Sequence, residues 1–100
     1  MGEIFNEQSK RFFQAILSLK NEEECEKFFA DAFTIREIKE ISQRYAVAEM
    51  LYEGKIYNEI AKETEASTAT ISRVNKCLNY GEGGYKLVLK RLKNQLSDSD

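Results

Sequence analysis

The chain has no proline and no histidine, and only five glycines and two cysteines in 100 residues. Helix formers dominate and strand-type alternation is absent, so the expected fold class is all-α. The cysteines, Cys25 and Cys77, match no metal-ligand spacing, and no histidine stands by to assist. No metal centre is expected; the thiols should be buried or half-buried in a reducing cytoplasm. Catalysis also lacks its parts. There is no Ser or Cys nucleophile beside a plausible base, no phosphate-binding glycine loop and no metal cluster, so an enzyme is not expected. No apolar run approaches a transmembrane span and no basic-plus-apolar leader opens the chain, which points to a cytoplasmic protein without a membrane partner.

At 42% hydrophobic and 32% charged residues the composition is that of a folded protein, and the length allows one domain with a modest core. The net charge of −2 conceals an asymmetry. Residues 1–54 hold seven Lys/Arg against eleven Asp/Glu, whereas residues 55–93 hold eight against four. A basic C-terminal half favours an anionic partner.

Apolar periodicity divides the chain into six helices. Ile4, Phe5, Phe12, Phe13, Ile16 and Leu17 lie on one face of a first helix, from Ile4 to Leu19. Asn21 and Glu24 form a capping box for a short second helix ending near Ala32. Thr34 and Glu37 form another, opening the longest helix, which runs to Glu53 and Gly54. Beyond Tyr45 that helix is apolar nearly all round, so it should be buried nearly all round. A second subunit would supply the cover; the Phe-rich first helix is the alternative. Gly54 suits the positive φ that follows a helix end. A fourth helix spans Ile56 to about Thr64, and Ser67 caps a fifth. Asn79 to Gly84 reads as a turn, Tyr85 to about Leu96 as a last helix, and the closing residues should fray.

The fourth and fifth helices carry the informative pattern. Ala61 offers a small side chain where the next helix crosses, and Ile60, Ile71, Val74 and Leu78 are spaced to anchor the pair. In "ASTATISRVNKCLN", residues 66–79, that leaves Thr68, Ala69, Thr70, Ser72, Arg73 and Lys76 facing outward or toward the rim. This is a helix-turn-helix pattern. Short hydroxyl groups and an alanine at the start of the second helix suit base edges and thymine methyls in a major groove. The free amides at Ser67, Thr68 and Ala69 favour phosphate. A solvated, well-capped scaffold helix is the competing reading. Glu65 disagrees with the pattern, because a left-handed glutamate in the turn costs about 1–2 kcal/mol and adds negative charge near the reading face.

"FTIREIKEISQRYAVAEMLYEGKIYNEIAKETEASTATISRVNKCLNYG" and the following "GYKLVLKRL" resemble the tryptophan repressor superfamily, in particular its small TrpR-related YerC/YecD group. With the first helix in register, the resemblance covers nearly the whole chain. It implies a six-helix TrpR-like fold in one domain, residues 1–100, assembled as an intertwined homodimer. Residues 1–53 and 85–97 would form mainly the dimer core, 56–79 the DNA-reading head, and 98–100 a frayed tail. Double-stranded DNA would be the partner. Specificity would rest on Thr68, Ala69, Thr70 and Ser72, with Asn58 within reach of a base. Arg44, Tyr57, Arg73 and Lys76 would contact phosphate, and Ser67 would offer its amide.

The resemblance also implies a place for a corepressor, at positions Thr34, Arg44 and Arg73, whose residue types match. Two neighbours depart from the pattern. Val74 stands where the repressor keeps a glycine beside the indole, and Cys77 stands where it has a serine, a better hydrogen-bonding group. Overfilling a planar pocket costs on the order of 1–3 kcal/mol, so no cofactor is expected and tryptophan is disfavoured as a ligand. The alternative to a palindrome-reading regulator is a helical dimer that has lost DNA binding and works as a protein–protein interaction module. The mild acidity and Glu65 support that alternative.

Overall fold

The computed structural model describes residues 4–98, and side chains through Leu96. Six helices follow one another: α1 (Glu7–Leu17), α2 (Glu22–Ala32), α3 (Ile35–Tyr52), α4 (Tyr57–Thr64), α5 (Thr68–Tyr80) and α6 (Gly84–Asp98). No strand occurs among the described residues. The chain divides into two compact units, Met1–Ile38 and Lys39–Asp100, with the boundary inside α3.

In the first unit, side-chain caps set the helix starts. Asn6 Oδ1 accepts from the Ser9 amide at 3.0 Å, and the Asn6 amide donates to Ser9 Oγ at 2.7 Å. This box starts α1 at Glu7 rather than at Ile4, because a capping residue is held in extended backbone. Asn21 caps α2 through the Glu24 amide, while Glu24 reaches back to the Lys20 amide. Thr34 and Glu37 cap α3 reciprocally, at 2.9 and 3.1 Å. The hydrogen bonds from Thr34 hold the Glu37 carboxyl below the usual glutamate range. Phe12, Phe28, Phe29 and Phe33 form a chain of tilted and edge-on ring contacts. No residue of α1 or α2 is fully buried, and Leu17 and Ile35 remain 82% and 75% exposed.

The second unit holds the core. Val47, Ala48 and Met50 of α3 pack with Ile60 of α4, Ala66 of the turn, Ile71, Val74 and Leu78 of α5 and Leu89 of α6. Val47, Ala48 and Met50 of the apolar second half of α3 are therefore covered by α4–α6 of the same chain, while Tyr52 stays exposed. α3 ends in a Schellman motif: Lys55 donates to the Met50 carbonyl and Gly54 to that of Leu51, with Gly54 at φ +86°.

α5 runs two residues into the expected turn, where Asn79 Nδ2 donates to the Asn75 carbonyl at 3.0 Å and the Gly81 amide to that of Cys77. Gly81 is needed for space rather than for positive φ, since a Cβ there would collide with the Cys77 carbonyl. α6 begins at Gly84 and continues to Asp98, past the expected end near Leu96; Ser99 and Asp100 of the expected frayed tail lie outside the described residues.

Tyr45, packed against the core, has a buried hydroxyl without a hydrogen-bond partner. Burial, with the nearby Glu49 charge second, pushes its ionisation above the usual phenol range. Deleting a buried, unpaired hydroxyl recovers its desolvation cost, so Tyr45→Phe should stabilise the protein by about 1 kcal/mol. A urea midpoint at or below wild type would contradict this.

Candidate nucleic-acid interface

α4 and α5 are joined by a three-residue turn whose polar groups are largely accounted for. Glu65 adopts φ 62°, the left-handed conformation expected at this position, and its amide donates to the Ala61 carbonyl at 2.9 Å. The Thr64 hydroxyl donates to the Ile60 carbonyl at 2.7 Å and accepts from the Ala66 amide at 3.2 Å. From α3, Gln43 Nε2 donates to the Thr64 carbonyl at 3.0 Å. Ala66, read from the sequence only as part of a helix break, is buried and plugs the turn into the core.

Ser67 then caps α5. Its Oγ accepts from the Thr70 amide and donates to Thr70 Oγ1, both at 3.1 Å. Ile71, Val74 and Leu78 face inward, as their spacing requires. Ser67, Thr68, Ala69, Ser72, Arg73 and Lys76 are exposed, and Thr70 is half-buried. Tyr57 and Asn58, in the first turn of α4, are exposed as well. The result is a strip of small hydroxyl and basic side chains on a helix whose opposite face is fixed in the core.

Arg44 sits apart from this strip. It is half-buried on α3 and, with Glu40, Gln43, Thr70 and Arg73, lines a cavity of about 290 Å³ between α3 and α5. Its Nε is buried without a hydrogen-bond partner. Of the five residues read from the sequence as a ligand pocket, the cavity brings together Arg44 and Arg73. Val74 is 1% exposed in the core, Cys77 is exposed, and neither lines the cavity. Thr34 belongs to the first unit, where its hydroxyl is engaged in capping α3.

Sequence reasoning missed Glu40 and Gln43. Both lie on the polar side of α3, where periodicity assigns solvation. The exposed thiol of Cys77 corrects the expectation that both cysteines are covered; Cys25 is half-buried as expected. Position 77 is one residue short of the buried Leu78, which turns it away from the core.

The left-handed turn residue yields a prediction. Glycine at 65 would relieve about 1–2 kcal/mol of left-handed strain and lose about 0.4–1 kcal/mol to unfolded-chain entropy. Glu65→Gly should therefore raise stability by roughly 0.5 kcal/mol, the difference between those two effects. A lower urea midpoint in the variant would refute this.

Comparison with known proteins places this geometry. The chain is 53% identical over 89 residues to the uncharacterised protein YerC of Bacillus subtilis, a match covering 89% of this chain and 86% of that protein. A solved TrpR-like protein from Eubacterium eligens superposes with a TM-score of 0.89 at 50% identity, over 93% of this chain and 96% of the other. A solved protein of Staphylococcus aureus, provisionally named a Trp repressor, gives a TM-score of 0.88 at 42% identity, over 92% of each chain. The Trp repressor protein family profile matches residues 7–93. That family is one of regulators rather than enzymes, and no helix among the described residues is long and apolar enough to cross a membrane. With six helices in this order and that profile spanning most of its length, the chain belongs to the Trp repressor family.

Proposed function

We propose that the protein is a cytoplasmic transcriptional regulator that binds a palindromic DNA site as a homodimer and does not respond to tryptophan. One observation carries the DNA reading: the strip of Thr68, Ala69, Ser72, Arg73 and Lys76 is exposed on a helix anchored by Ile71, Val74 and Leu78. Small hydroxyl groups at the start of the helix read base edges, and Arg73 and Lys76 contact phosphate, as do Tyr57 and Arg44. Asn58 and Thr70 complete the readers, and the Ser67 amide meets phosphate at the positive end of the helix. Two such heads related by a two-fold axis enter successive major grooves.

Dimerisation is supported by what one chain leaves uncovered. α1 and α2 bury no residue fully. On α6, Leu87, Val88, Leu92 and Leu96 are 44–72% exposed, and a groove between α3 and α6 is lined by Tyr45, Tyr52, Leu89, Leu92 and Leu96, with Glu49, Glu53 and Lys93 at its charged positions. Exposed apolar side chains clustered in this way favour a subunit interface. On this reading residues 1–53 and 85–97 build the dimer and 56–79 form the reading head.

The chemistry of the cavity argues against tryptophan. Its lining residues, Glu40, Gln43, Arg44, Thr70 and Arg73, are all polar or charged, with no wholly apolar side chain among them. The decisive experiment selects bound duplexes from a random pool, with and without tryptophan. Enrichment of a palindrome at equal affinity in both arms supports the proposal. No salt-sensitive affinity for any duplex would leave the protein-interaction dimer as the function, and a tryptophan-dependent gain would restore the corepressor.

A further inference from the structure

We infer that Gln43 is a positioning residue for the reading helix: its side-chain amide holds the α4–α5 turn in place without a glycine. This inference rests on the DNA-reading proposal for its effect on binding, but the contact itself lies within the second unit of the chain.

A helix end leaves its last carbonyls without intrahelical partners, and Thr64 closes α4. Its carbonyl is taken by Gln43 Nε2 at 3.0 Å, from a residue 21 positions earlier on a different helix. The Thr64 hydroxyl and the Glu65 and Ala66 amides are satisfied locally. Gln43 is thus the tie from α3 to a backbone that carries a left-handed glutamate at φ 62°. Its side chain also lines the cavity beside Thr70 and Arg73, in the first two turns of α5. One side chain therefore bonds the turn before the reading helix and shares a cavity with the start of that helix.

Apolar packing holds α5 against the core, but dispersion and burial are non-directional and do not fix the turn backbone that leads into it. A hydrogen bond to one carbonyl is directional. Loss of the tie would leave the core intact and let the turn relax, so the reading helix would sample angles that miss the groove. The penalty would then fall on DNA affinity more than on melting.

The test uses the full chain carrying Gln43→Met, which keeps size and neutrality but lacks the donor, alone and combined with Glu65→Gly. Binding is measured on the duplex that wild type selects, at several salt concentrations, together with hydrogen exchange of the Glu65 and Ala66 amides. Losing one neutral hydrogen bond should weaken binding about threefold per head, hence about tenfold for a dimer. The salt dependence should stay that of wild type, since no phosphate contact is lost. Exchange at Glu65 and Ala66 should accelerate at least threefold.

Glu65→Gly should raise affinity more in the Gln43→Met background than in wild type, because glycine removes the strain that the tie offsets. The shared change in charge cancels in that double-mutant cycle. Unchanged exchange in Gln43→Met would overturn the inference, as would equal gains from Glu65→Gly in both backgrounds. If wild type selects no duplex, the DNA reading fails, and the exchange rates alone decide whether Gln43 holds the turn.

Discussion

Arg73→Ala should weaken binding to every duplex and flatten its salt dependence. Arg73 is exposed on α5, two residues past the inward-facing Ile71. In the proposed complex a guanidinium there would meet the sugar-phosphate edge, which carries charge but no sequence information. Each phosphate neutralised by the protein adds about −0.9 to the slope of log K against log salt. A dimer loses the contact twice, so the slope should become shallower by about 2.

Ser72→Ala should act differently. Its hydroxyl is exposed and uncharged, so its removal should leave the salt slope alone and change which bases are preferred. Thr70→Ala should shift base preference too, but is the less clean probe. Thr70 also accepts a hydrogen bond from Ser67 and lines the cavity with Arg44. Selection followed by affinity measurements at several salt concentrations separates these roles. If Arg73→Ala and Ser72→Ala produce the same change in slope and preference, the division of labour along α5 is wrong.

Ile71→Ala should cost about 3 kcal/mol of stability, within the usual range for emptying a filled core site. Ile71 is fully buried, as are Ile60 and Val47 of the same cluster, so truncation empties a filled site. Three kilocalories is a large share of the roughly 5–15 kcal/mol by which domains are stable. The urea midpoint should fall with an unchanged slope, at fixed protein concentration because dimerisation would couple to folding. Lys62→Ala, on the exposed side of α4, should leave the midpoint near wild type. A loss below about 1 kcal/mol for Ile71→Ala would mean that the site is looser than its burial indicates.

Much of the candidate site was legible because its determinants are local. Ser67 caps α5, Thr34 and Glu37 cap α3, and Gly54 closes it, each through neighbours a few residues away. Ile60, Ile71, Val74 and Leu78 face inward because a 3.6-residue period forces them onto one side. Glu65, which disagrees with the pattern by residue type, nonetheless takes the positive φ that this turn position usually needs.

What covers a helix is another matter. The apolar half of α3 implied burial, but periodicity names no partner, and the core around Val47, Ala48 and Met50 comes from α4, α5 and α6 of the same chain. The cavity shared by Glu40, Arg44 and Arg73, the burial of Ala66 and the hydrogen bond from Gln43 to the Thr64 carbonyl likewise required the tertiary structure. The sequence by itself determined six helices, their caps, the inward residues of the reading helix and the family they resemble, because each follows from spacing along one chain. Tertiary structure alone decided which elements meet and how the turn is tied, because those contacts join residues that no local period relates.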